Sequence, residues 1–93
     1  MEIIFSDVVL KQIKKLKDSR INHDVVAAMI DSLIKDENFQ ETLRQAVSEG
    51  SATDPFQLSF YEPEFNITIT SRFDVVKNSA TIIAIKRGNN MKF

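Results

Sequence analysis

Hydrophobic and polar positions alternate most clearly between Phe65 and Arg87. Phe65, Ile67, Ile69, Phe73 and Val75 take every second position, with Ser71 the polar member of the series, and Asn66, Thr68, Thr70, Arg72 and Asp74 lie between them. A period of two predicts a strand with one buried face. After a polar break at Lys77-Asn78, the run Ala80-Thr81-Ile82-Ile83-Ala84-Ile85 is nearly continuously apolar, the pattern of a strand covered on both faces. The two segments predict a β-hairpin whose second strand is central. Loops of two or four residues give the same faces, and a three-residue loop would exchange them. In the favoured register Ile69, Ser71, Phe73 and Val75 share the helix-packed face with Ala80, Ile82, Ala84 and Lys86. Thr68, Thr70, Arg72 and Asp74 then lie beside Thr81, Ile83, Ile85 and Arg87 on an open face.

Upstream, Glu2 to Phe5 reads as a first strand, and Ser6 with Asp7 supplies an N-cap and a first-turn acid. The helix they begin is expected to run to about Asp18, with Val9, Leu10, Ile13 and Leu16 on one side and Lys11, Lys14 and Lys15 on the other. Asn22 or Asp24 caps a second helix with the stripe Val25, Val26, Met29, Ile30 and Leu33. Phe39, Leu43, Ala46 and Val47 form another stripe, rotated by roughly a quarter turn from the first, so a break is expected between Asp36 and Asn38. Asn38 followed by Glu41 resembles a capping box, and Gly50 is a suitable stop. Phe56, Leu58 and Phe60 alternate as a further strand before Pro63 and Glu64 turn the chain. The order predicts an α+β fold, β-α-α(α)-β-β-β, with helices packed on one face of an antiparallel sheet.

At 93 residues the chain suits a single small domain spanning 1-93, with 7 Phe for its core and only 2 Gly and 2 Pro. It has no cysteine, so neither a disulfide framework nor a thiolate zinc site is available. Without a long apolar run or a leader-like opening, it is expected to be cytoplasmic, with no membrane partner. Net charge is −1, distributed as +2 over residues 1–20, −5 over 21–54 and +2 over 55–93. This lacks the basic footprint usual in nucleic-acid binders.

The common catalytic motifs are absent, and no cluster of His and carboxylates predicts a metal; no cofactor is expected. The sole histidine, His23, reads first as a capping or surface residue. Arg72 and Arg87 are expected on the same face about 13 Å apart, spaced to straddle a phosphodiester. Lys86 would neutralise phosphate, and Tyr61, Glu62 and Glu64 at the adjoining turn offer a stacking ring and a general base. Attack by an RNA 2′-hydroxyl needs such a base together with cationic stabilisation. Arg72, Lys86 and Arg87 are therefore the candidate catalytic residues, although edge strands commonly carry such cations for other reasons. Tyr61, Ile83 and Ile85 are candidate binding residues, because isoleucines on the open face call for a covering partner. Lys11, Lys14 and Lys15 read either as a solvated helix face or as a phosphate-contacting stripe.

The opening Glu2-Ile3-Ile4-Phe5-Ser6 with Val8-Val9-Leu10-Lys11-Gln12-Ile13-Lys14-Lys15-Leu16, and Ile69-Thr70-Ser71-Arg72-Phe73-Asp74-Val75 leading into Ala80 to Arg87, resemble RelE/ParE toxins. The resemblance implies a sheet with helices on one side and an open face, and a bacterial or phage toxin–antitoxin function. Such toxins cleave mRNA on the ribosome or inhibit gyrase. It implies an antitoxin or host target as protein partner, with RNA or the ribosome as a further one, and it matches Arg72, Lys86 and Arg87 to the family's basic positions. The alternative is a non-catalytic inhibitor or adaptor, phage-encoded for example, that binds a host protein through the open sheet face. A third reading is a homodimer formed through that face.

Overall fold

The computed structural model describes residues 1–48 and 55–89, the side chains of 46–48 apart. It is an α+β domain with strands β1 (Glu2–Phe5), β2 (Phe56–Glu62), β3 (Ile67–Asp74) and β4 (Ser79–Arg87), and helices α1 (Asp7–Lys15), α2 (His23–Lys35) and α3 (Glu37–Ser48). The sheet order is β1-β4-β3-β2. The three later strands are antiparallel, as expected, but β1 pairs with β4 in parallel, from Glu2 opposite Ser79 to Phe5 opposite Ile82. The sheet is therefore mixed. The expectations for the Gly50 stop, the Ala46 and Val47 side chains and the docking of Phe93 lie outside the described residues.

Local chemistry sets the helix ends. The Ser6 Oγ accepts from the Val9 amide at 3.2 Å, and the Asn22 Oδ1 accepts from the Val25 amide at 3.0 Å. Helix α1 stops at Lys15, earlier than expected, because Lys17 adopts a left-handed φ of 52° and Asp18 takes up a competing local turn. There the carboxylate accepts from the Arg20 backbone amide at 3.0 Å and from its guanidinium at 3.1 and 2.9 Å. The break between α2 and α3 falls where the rotated stripes require it, but its cap is Asp36 rather than Asn38. The Asp36 Oδ1 accepts from the Asn38 and Phe39 amides at 2.9 and 3.1 Å.

The core lies between the helices and one sheet face. Val9, Ile13, Ile21, Val26, Ile30 and Phe39 meet Ile67, Ile69, Phe73, Ala80, Ile82 and Ile85. Phe73 is wholly buried at its centre, its ring 5.0 Å from that of Phe39 and 5.7 Å from that of Phe56. The turn between β3 and β4 holds four residues, Val75 to Asn78; Asn78 takes a φ of 54°, and the Asp74 Oδ1 accepts from the Lys77 amide at 3.0 Å.

One irregularity changes the faces. Ser71 pairs with Ile82, but its neighbour Thr70 pairs with Ala84, so Ile83 is an extra residue in β4. A bulge of this kind shifts the phase of the strand beyond it. Before the bulge, Phe73 and Ser71 face the helices with Ala80 and Ile82, as the alternation predicts. Beyond it, Ile85 pairs with Ile69 in the core at 2 % exposure, whereas Ala84 and Lys86 turn to the open side.

Candidate functional site

The open face of the sheet is built in cross-strand rows. One runs Ile4, Thr81, Arg72 and Gln57; the next holds Ala84, Thr70 and Ser59; a third holds Lys86, Thr68 and Tyr61. Ser59 and Thr70 share a hydroxyl hydrogen bond of 2.7 Å, and the Tyr61 hydroxyl donates to the Asn66 Oδ1 at 2.6 Å. Thr68 is buried, and its hydroxyl donates to the Gly88 carbonyl at 2.7 Å where the chain leaves β4 with a φ of 89° at Gly88. The surface is thus rich in hydroxyl groups, with half-buried Ala84 and exposed Ile4 as its apolar members.

Arg72 and Lys86 are exposed on this face, two cross-strand rows apart, or about 13 Å along the strands. Arg87 is not with them. The bulge pairs it with Ile67 on the helix side, where its guanidinium donates to the Phe65 carbonyl at 2.7 Å and lies 3.6 Å from the Asp18 carboxylate. Arg20 joins this cluster, its guanidinium 5.2 Å from the centre of the Phe65 ring. Hydrogen bonds from the Arg20 side chain and backbone, with the positive field of Arg20 and Arg87, hold the Asp18 carboxyl down at about 2 against an ordinary 3.8. Arg87 thus ties the end of β4 to the α1–α2 loop, and the expected Arg72–Arg87 pair does not form.

Ile85 is likewise corrected from an open-face contact to a core residue, while Ile83 is the half-buried extra residue of the bulge. Lys11, Lys14 and Lys15 are exposed on α1, whose Val9 and Ile13 enter the core between the helices and the sheet. Lys14 lines a cleft of ≈ 590 Å³ with Leu10, Ile13, Lys17, Ile21 and His23. His23 contacts the Phe5 ring edge-on at 6.1 Å and pairs with Asp24 at 3.2 Å. Asp31 pairs with Lys35 at 2.8 Å and Glu41 with Arg44 at 3.2 Å on exposed helix faces. Among the described residues, no group of three His, Cys, Asp or Glu is placed to hold a metal ion, and no helix is long and apolar enough to cross a membrane.

Sequence reasoning missed Ile4 as a member of the face, because nothing local reveals that β1 lies beside β4. Its one signal is the alternation of Glu2 and Ile4 with Ile3 and Phe5. No protein-family model matches the chain, and neither the curated proteins nor the solved structures contain a significant match.

Proposed function

We propose that this chain is a cytoplasmic toxin-like module of the RelE/ParE kind that acts by binding rather than by cleaving, with the open sheet face as the surface that meets its target protein. The observation that carries this reading is the content of that face. Arg72 and Lys86 stand about 13 Å apart along the strands, and the row between them holds Ala84, Thr70 and Ser59. Two separated cations around hydroxyl and small apolar groups suit a protein surface, with the charges fixing orientation and the centre excluding water. Withdrawal of Arg87 into its cluster with Asp18 leaves two of the three expected phosphate-stabilising groups there. Gyrase, another host protein or an antitoxin is the corresponding partner class.

Cleavage of mRNA is the second reading, and the row Tyr61, Thr68 and Lys86 favours it by setting a phenol and an ammonium on one side of the sheet. One experiment separates them. The chain is expressed under tight induction with growth recorded, co-purifying proteins are captured, and the purified protein is incubated with RNA and ribosomes. Growth arrest with a stoichiometric protein partner, both lost in Arg72→Glu, supports the binding reading. RNA cleavage abolished by Arg72→Ala or Lys86→Ala in a folded protein overturns it in favour of the ribonuclease.

A further inference from the structure

The two edges of the sheet are built differently. Strand β1 is a short edge of four residues with Glu2 at its start, whereas β2 is an edge of seven, Phe56 to Glu62. Exposed edges are usually blunted by shortness, charge, proline or a bulge. From Phe56 to Tyr61, β2 carries no charge and no proline, and its pairing with β3 is regular throughout. Among the described residues, no strand pairs with its outer side. On its helix side, Phe56, Leu58 and Phe60 remain half-exposed, although they share a face with the core. A mainly apolar groove of ≈ 410 Å³ runs beside the end of this strand, lined by Val25, Ala28, Met29 and Leu33 of α2 with Phe60 and Phe65, and with Glu62 as its charged member.

We propose that β2 pairs antiparallel with β2 of a second copy, across a two-fold axis perpendicular to the sheet, joining two four-stranded sheets into one of eight strands. The strand is complementary to itself. Full overlap of seven residues centres the axis on Ser59 and sets Leu58 opposite Phe60 of the second copy and Gln57 opposite Tyr61. Over Gln57 to Tyr61 apolar side chains then meet apolar ones on the helix side and neutral polar ones meet on the open side, without like-charge contacts. At each end of the overlap Phe56 faces Glu62 of the second copy. Leu58 of the second copy, placed opposite Phe60, extends the apolar wall of the groove. Both open faces stay free and lie side by side, so this dimer differs from one formed through the open face.

The test is the mass of the full chain in solution, measured by light scattering and sedimentation over a rising concentration series. A dimer is expected, and a monomer throughout the micromolar range overturns the proposal. Ser59 is exposed, so Ser59→Lys is expected to fold, which circular dichroism checks. It sets two lysines opposite one another at the axis and should weaken self-association by about tenfold or more at low salt. Mixing Ser59→Lys with Ser59→Glu should restore dimers, now mixed in composition. Undiminished dimerisation of folded Ser59→Lys, or failure of the mixture to associate, overturns the pairing about Ser59.

Discussion

Strand β1 ends at Phe5, opposite Ile82, so the far half of β4 has helix α1 beside it where a strand would otherwise continue. The backbone amide of Ile85, a residue only 2 % exposed, is satisfied there by a side chain, donating to the Gln12 Oε1 at 2.8 Å. Gln12→Met keeps the length of the side chain and removes the acceptor. A buried donor left unpaired costs about 1–3 kcal/mol, and the half-buried position of Gln12 places the expected loss near the lower half of that range, about 1–2 kcal/mol. For a chain of this size, whose total stability is roughly 5–14 kcal/mol, that is a substantial fraction. With a urea slope on the order of 1 kcal/mol/M, the unfolding midpoint should fall by about 1–2 M. Gln12→Glu retains an acceptor oxygen and should lie within about 0.5 kcal/mol of the natural protein. Amide exchange at Ile85 should accelerate in Gln12→Met beyond the change in global stability. If Gln12→Met unfolds at an unchanged midpoint with Ile85 still protected, the amide has another acceptor and the reasoning fails.

Other perturbations test the remaining contacts. Asp18 has its carboxyl lowered from 3.8 to about 2 in the folded chain, so its contribution to stability is present above pH 4 and is lost as pH falls through 2. In Asp18→Asn the acid-induced fall in melting temperature between pH 4 and pH 2 should be shallower, and carboxyl NMR should find Asp18 titrating near 2 in the natural chain. Asp36→Ala leaves the Asn38 and Phe39 amides without their cap and should cost about 1 kcal/mol in urea unfolding, with the loss of helix confined to the start of α3. Phe73→Ala opens a cavity between Phe39 and Phe56 and should cost about 3–5 kcal/mol, seen as a much reduced urea midpoint.

Local signals carried most of the element order. Alternation marked β2 and β3, Ser6 and Asn22 marked two helix starts, and the rotated stripes marked the break between α2 and α3. The phase slip at Ile83 was hidden by composition, because in Ile82-Ile83-Ala84-Ile85 every residue suits either face. That one residue moved Ile85 into the core, Lys86 onto the open face and Arg87 to the helix side. The Asp36 cap was masked by a second plausible start at Asn38. Long-range pairing was less legible still. The parallel contact between β1 and β4 and the clamp between Asp18 and Arg87 depend on segments far apart in sequence, and no short period encodes them.

The pairing of the first strand with the last has a consequence for biosynthesis. While the ribosome is still making residues before Ser79, β1 has no native strand partner, because its ladder runs only to β4. The nascent chain carries Ile3, Ile4 and Phe5 without strand pairing until Ser79 to Ile82 have been made, and closing so distant a contact costs loop entropy that the nearer hairpins do not. Completion of the sheet therefore waits for β4 to emerge, so chains cut short within β4 should yield incomplete, protease-sensitive products instead of a smaller working domain.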